Sequence, residues 1–164
     1  MHIFYINGYA ESGKDTFVTL VSAYCNVKNT STIDNIKVLC KKYLGWDGAK
    51  DARGRKLLAA VKQASTEYNE GPIKAVRQDI DKSIATGVDI LFIHVREVDQ
   101  MLRMQKLYGG STLEIQRDTV QSDSTETQFR EDARNYVYDY TIDNNGPIES
   151  LDKYAQEFAV SFIN

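Results

Sequence analysis

His2-Ile3-Phe4-Tyr5-Ile6-Asn7-Gly8-Tyr9-Ala10-Glu11-Ser12-Gly13-Lys14-Asp15-Thr16-Phe17 runs from an apolar β-type stretch, through a glycine-bounded loop, into an amphipathic helix. Phe17, Leu20, Val21 and Tyr24 recur at i, i+3, i+4 and i+7, which predicts one buried helical face. Strand, loop between two glycines, lysine and helix together form the layout of a phosphate-binding P-loop. Each part has a physical task. Gly8 and Gly13 permit backbone angles that a side chain would block, so Tyr9, Ala10, Glu11 and Ser12 can turn their N–H groups into one concave nest. A helix starting near Lys14 adds the positive end of its dipole, and Lys14, expected to sit exposed in the loop, reaches the outer phosphates as a point charge.

The usual pattern places a hydroxyl directly after the lysine, where it holds Mg²⁺. Here Asp15 takes that place and Thr16 follows one position late. A carboxylate is also a hard oxygen ligand, so Asp15 is the expected Mg²⁺ partner, directly or through water. Thr16 is then free to hydrogen-bond an inner phosphate. The competing reading is an ordinary βα turn with two glycines; strand and helix falling where the motif needs them favour nucleotide binding.

A chain of 164 residues suggests one domain, 1–164, long enough to bury a core. A formal net charge of −3 argues against generic binding to nucleic acid or anionic membranes, which reward a basic surface. Cys25 and Cys40 lack C-x-x-C spacing and fall at apolar positions of expected helices, so structural thiols in a reducing interior are expected. No apolar run approaches membrane-spanning length and no signal-peptide pattern opens the chain, so the expected location is the cytoplasm.

Further along, Lys28 to Asp34 reads as turn residues leading into a very short β-like piece that ends at Asp34. Asp34 serves either as the cap of a helix bearing Ile36, Leu39, Cys40 and Tyr43 inside, or as a carboxylate at a strand end, where open α/β sheets bind ligands. After Gly45-Trp46-Asp47-Gly48, the stretch Arg53-Gly54-Arg55-Lys56 approaches a helix with Leu57, Leu58, Val61 and Ala64 expected inside. Pro72 opens another, with Arg77 on it and Ile73, Val76, Ile80 and Ile84 at helical spacing. Val88 to Val95 is apolar on both faces, as a central parallel strand should be, and His94 and Arg96 stand at its end. A helix follows with Val98, Met101, Leu102 and Gln105 on one face. Thr112 to Gln116 alternates as a half-buried strand that delivers Arg117. The polar loop from Gln121 to Glu126 resembles a lid within 118–136, with Arg130 and Arg134 four residues apart behind it. Tyr138 to Ile142 reads as the last strand, and Leu151, Tyr154, Ala155, Phe158, Ala159 and Phe162 as the buried stripe of a final helix. The organisation is a βαβα-type domain with five short strands.

A phosphate nest with arginines at strand ends favours phosphoryl transfer, which needs positioning and charge neutralisation more than a covalent nucleophile. The chain offers no G-x-S-x-G elbow, and two histidines are too few for a zinc site.

The form Gly13-Lys14-Asp15-Thr16 is similar to the variant loop of the deoxynucleoside monophosphate kinases, within the P-loop nucleoside monophosphate kinase superfamily. Phosphomevalonate kinases carry a similar Gly-Lys-Asp. The resemblance extends in order through Thr32-Ile33-Asp34 with Lys37, Trp46-Asp47-Gly48, Arg53 to Leu58, Ile93 to Glu97, Gln116-Arg117-Asp118 and Asp139 to Asn144. It implies a three-layer α/β/α P-loop NTPase fold whose five-stranded parallel sheet has order 2-3-1-4-5. It also implies ATP with Mg²⁺ as donor, a (deoxy)nucleoside monophosphate as acceptor, and a monomer or homodimer. Carried over residue by residue, Gly8 to Thr16, with Arg117 and Arg134, would hold ATP. Asp34, Lys37, Arg53, Arg77 and Arg96 would face the acceptor, and Lys14, Asp15, Arg96, Arg117 and Arg130 would act on the transferring group. Asp15 and Asp34 would organise the metal. Kinases of this superfamily often carry an acid at position 94, where this chain has His94. That departure supports the other reading, a nucleotide-binding or regulatory protein without turnover; a further alternative acceptor is another small phosphorylated metabolite, as in phosphomevalonate kinases.

Overall fold

A computed structural model describes residues 1–49, 51–118, 132–133 and 135–163. Five strands, β1 (His2–Asn7), β2 (Val27–Ser31), β3 (Ile90–His94), β4 (Ser111–Gln116) and β5 (Tyr140–Asp143), form one sheet of order β2-β3-β1-β4-β5. Every neighbouring pair is parallel. The expected strand order and class therefore hold. Among the described residues the helices are α1 (Lys14–Val21), α2 (Asp34–Tyr43), α3 (Ala52–Asn69), α4 (Gly71–Ala85), α5 (Val98–Tyr108) and α6 (Ile148–Ile163). None is long and apolar enough to cross a membrane.

Alternation along the central strands builds two cores. Phe4, Ile6, Phe92, Leu113 and Ile115 point to one face, where Phe17 and Val21 of α1 and Leu151, Ala155 and Phe158 of α6 cover them. Ile3, Tyr5, Leu91, Ile93 and Val95 point to the other, against Ile73, Val76 and Ile80 of α4 and Met101 and Met104 of α5. Because β1 and β3 are covered on both sides, each reads as a continuous apolar run rather than an alternating one.

Several expectations at the periphery need correction, and in each the burial is supplied by a neighbour the local pattern cannot show. The second strand is not the piece ending at Asp34; it is Val27–Ser31, a polar edge strand tied to α4 by a 2.6 Å bond from Thr30 Oγ1 to Asp79 Oδ2. Asp34 is the first helical residue of α2, the cap position being Ile33. Leu39, Tyr43 and Ile84, expected inside, are exposed, as are Leu102 and Tyr154. Tyr24 lies beyond the end of α1 and reaches Asp152 with its hydroxyl instead. Met104, not Leu102, completes the inner face of α5.

The largest correction concerns α3. Its buried positions are Gly54 and Lys62, while Leu57, Leu58 and Val61 are half-buried and Ala64 is exposed. This helix packs on α2 and α4. Lys62 Nζ pairs at 2.6 Å with Glu97, the residue preceding α5, in a nearly dry setting. Breaking one side of such a pair leaves an uncompensated charge. Lys62→Met is expected to cost about 3 kcal/mol in urea unfolding, and Lys62→Met combined with Glu97→Leu to recover most of it. Equal losses in the single and double variants would show the pair to be structurally idle.

Candidate functional site

The site is built where three strand-end loops meet: those after β1, β3 and β4–β5. Asn7, the last residue of β1, accepts from the N–H of Gly8 at 2.7 Å through Oδ1 and donates from Nδ2 to the Arg96 carbonyl at 3.3 Å. One buried amide thus joins the first two loops. The Gly8–Gly13 loop is then held from below. Asn144, at the end of β5, donates from Nδ2 to the Ser12 carbonyl at 2.8 Å, and its own N–H bonds the Gln116 carbonyl. Asp118 and Asn145 bond each other twice, fixing the loop that carries Arg117 beside the same junction.

Both glycines are required by contact as well as by angle. At Gly13 (φ 97°) an added Cβ would stand 2.3 Å from Asn144 Nδ2, and at Gly8 (φ 137°) 2.5 Å from the Ile115 carbonyl oxygen. Glu11 adopts φ 64°, a left-handed conformation that a non-glycine residue holds only at a cost of about 1 kcal/mol or more. Backbone strain is therefore stored in the loop itself.

Lys14 does not stand out in solvent as expected. Its ammonium turns into the loop, donating to the Gly8 carbonyl at 2.7 Å, to the Tyr9 carbonyl, and more weakly toward Ser12 Oγ. Burial first, and then the Arg96 charge, lower its pKa to about 8, against a smaller opposing pull from Asp15. Asp15 is the opposite case, with its side chain 91% exposed and Oδ1 3.6 Å from His94 Nε2. His94 is pushed below the ordinary histidine pKa by its burial, and it feels Asp15, Lys14, Asp34 and Lys37 as neighbouring charges. Neutral His94 therefore stands where an acid was expected to organise a metal.

Of the residues singled out from the sequence, Lys14, Asp15, Asp34, Lys37 and Arg96 are brought into one electrostatic neighbourhood. Asp34 is paired with Lys37 at 2.9 Å across the first turn of α2. Thr16, Ala10 and Glu11 are exposed on the loop and the first turn of α1. Arg117 is exposed at the end of β4, and Arg53 is exposed in the first turn of α3, not among the charges acting on Lys14 or His94. Arg77 is not delivered to the site: its side chain, 68% exposed, faces Asp81 one turn along α4. Arg130, Arg134 and the loop at 121–126 lie outside the described residues. Asn7 and Asn144 were missed, because a lone asparagine beside a strand or in a turn reads as turn chemistry.

The residue set suits a phosphate group: Gly8 and Gly13 let the loop close down on Ile115 and Asn144, and the Lys14 ammonium lies within it as a cation that phosphate oxygens would pair with. For a divalent cation, Asp15 offers one exposed carboxylate, and no set of three protein ligands occurs among the described residues. That donor set suits Mg²⁺ shared with phosphate oxygens and water.

Solved structures that share this architecture include two kinases. One is a shikimate kinase from Aquifex aeolicus, 17% identical, aligned over 97% of this chain and 96% of that one with a TM-score of 0.51. The chain has the α/β P-loop fold of that structure. The other is a sugar kinase from a Janibacter species, 11% identical, over 99% of this chain and 94% of that one, with a TM-score of 0.50. Identities this low speak for the fold alone. No protein-family model matches the chain, and no curated protein does.

Two outcomes are expected. Asn144→Ala should lower stability by about 1–3 kcal/mol in urea unfolding and loosen the loop, seen as faster amide exchange at Ser12 and Gly13. Unchanged exchange there would separate Asn144 from the loop. The Lys14 pKa gives a second expectation. Phosphate restores the charged form, so nucleotide binding should take up a proton and weaken progressively between pH about 8 and about 10. Calorimetry in buffers of different ionisation enthalpy measures that uptake, which should vanish in Lys14→Met.

Proposed function

We propose that this chain transfers the γ-phosphoryl group of ATP to a (deoxy)nucleoside monophosphate, giving the diphosphate, with Mg²⁺ as the accompanying ion. The observation that carries the reading is Lys14 folded into the Gly8–Gly13 cradle with the Arg96 charge acting on it. A cradle alone would serve a binder; a second cation beside the lysine suits a group whose negative charge moves between two phosphates.

In this reading the loop N–H groups from Tyr9 to Gly13, with Thr16, hold the donor's phosphates, and Lys14 exchanges its three internal acceptors for phosphate oxygens. Mg²⁺ neutralises phosphate charge when bound, and Asp15 and Asp34 are the carboxylates that would hold it or its waters. His94, kept neutral by burial, adds no positive charge beside Asp15. Arg96 is assigned by this reading to hold the acceptor phosphate bidentately, with Lys37 and Arg53 as further acceptor-side cations. Arg117, Arg130 and Arg134 are the arginines assigned by this reading to the donor's phosphates.

His94 at a position where an acid is common also favours a second reading, a nucleotide-binding protein without turnover. A coupled assay of ADP formation from Mg-ATP, run with each ribo- and deoxyribonucleoside monophosphate, with mevalonate phosphate and with no acceptor, separates the two. ADP made only with nucleoside monophosphates is the expected result, and Lys14→Ala should reduce turnover at least about a hundredfold. ATP binding without ADP from any acceptor would establish the second reading. Asp15→Ala should raise the Mg²⁺ concentration needed for half-maximal turnover; an unchanged metal titration would remove Asp15 from that role.

A further inference from the structure

We propose that the buried Lys62–Glu97 ion pair sets the place of Arg96, so that Lys62 and Glu97 are positioning residues for the acceptor and act through that arginine. This rests on the reading of Arg96 as the cation that holds the acceptor phosphate, and adds what fixes it there.

The short link from β3 to α5 is tied down at three successive residues. Val95 is buried, and its N–H bonds the Ile6 carbonyl at 3.2 Å. The Arg96 carbonyl accepts from Asn7 Nδ2 at 3.3 Å, a long bond. The Glu97 carboxylate accepts from Lys62 Nζ at 2.6 Å. The first two contacts fasten the link to β1, and the third fastens it to α3. Glu97 holds the cap position of α5, yet its carboxylate makes no cap bond to that helix and goes to Lys62 instead. A second pair, Arg103 with Glu70, joins α5 to the junction of α3 and α4. Its side chains are 53% and 41% exposed, against 10% and 17% for Lys62 and Glu97. Solvent screens the exposed pair, so the buried one governs where α3 and the Arg96 link sit relative to each other.

Among the described residues Lys62 is the only charged side chain that is buried. Desolvating two charges consumes most of what their attraction returns, and apolar residues of similar volume hold two elements together as well or better. What the pair adds is direction. One nitrogen meets one oxygen at a fixed distance, whereas an apolar contact lets two surfaces slide. Direction matters next to Arg96, whose charge acts on Lys14. A guanidinium grips phosphate bidentately only within a narrow range of positions, and a shift of about 1 Å at such a group can cost about a hundredfold in rate. The same helix carries Arg53, the other arginine assigned to the acceptor. One ionic contact therefore fixes the two acceptor-side arginines relative to each other.

The test compares the parent chain with Lys62→Met/Glu97→Leu, Lys62→Arg and Arg103→Gln in the ADP assay, varying Mg-ATP and the preferred monophosphate separately. The double variant removes both charges and should unfold near the parent's urea midpoint, which sets stability aside. Its acceptor KM should rise about tenfold or more and its kcat fall, with the KM for ATP kept within about twofold. Lys62→Arg keeps a cation against Glu97, and Arg103→Gln breaks only the exposed pair; both should stay within about threefold of the parent. An unchanged acceptor KM in the double variant overturns the proposal, because a merely structural role lowers kcat through the folded fraction and leaves both KM values alone. Glu97→Gln, which keeps the side chain's size without its charge, is read in the same way should the double variant not fold. If the parent makes no ADP from any acceptor, the kinase reading falls, and the comparison passes to Kd for the monophosphates beside a non-hydrolysable ATP analogue. Binding about tenfold weaker in the double variant then supports the pair. Equal binding, or none by the parent, overturns it.

Discussion

Everything at the site depends on how closely backbone can approach backbone at Gly8 and Gly13. At the first, the chain passes so near the Ile115 carbonyl that no side chain fits; at the second, so near the Asn144 amide. Those approaches press the loop against the ends of β4 and β5, and the Asn144 bond to the Ser12 carbonyl holds it there. A loop held from beneath can turn its N–H groups outward and keep Glu11 left-handed, because the surrounding contacts outweigh the local strain.

Charge is arranged around that loop by burial as much as by proximity. Lys14 and His94 are both pushed toward their neutral forms by desolvation, while Asp15, a near neighbour in sequence and space, stays in solvent. Three acceptors within the loop satisfy the Lys14 ammonium. In the proposed function, phosphate oxygens would replace those acceptors while supplying the negative charge that favours the ammonium.

The buried Lys62–Glu97 pair gives α3 a different attachment from the sheet helices. The latter are held by large apolar faces; α3 buries only Gly54 and the Lys62 stem, and is anchored to the loop that follows Arg96. Helix and arginine loop are therefore coupled through one ionic contact. Gly54, tucked against the Trp46 indole and the Ala49 carbonyl, supplies the close approach at the helix start.

The βα alternation and the strand–loop–lysine–helix layout were legible in the residues from His2 to Phe17 and in the apolar run of β3, because they follow from periodicity and glycine placement; the strand order and the three layers came from the family resemblance, and the structure bears them out. Lys14, Asp15 and Arg96 could be singled out from their places in the loop and after β3, and the structure puts them in one electrostatic neighbourhood. Periodicity failed on α3 and at Ile84, Leu102 and Tyr43, where burial depends on which helix happens to lie alongside. It also gave no warning that Lys14 folds inward, that Arg77 faces Asp81, or that Asn7 and Asn144 carry the loop. Asn144 meets Ser12 across 132 positions of chain, and Lys62 meets Glu97 across 35. The chain by itself determined which chemistry was present and where the loop would form; only packing in three dimensions decided which side chains share its space, because parallel strands bring together residues that the sequence keeps far apart.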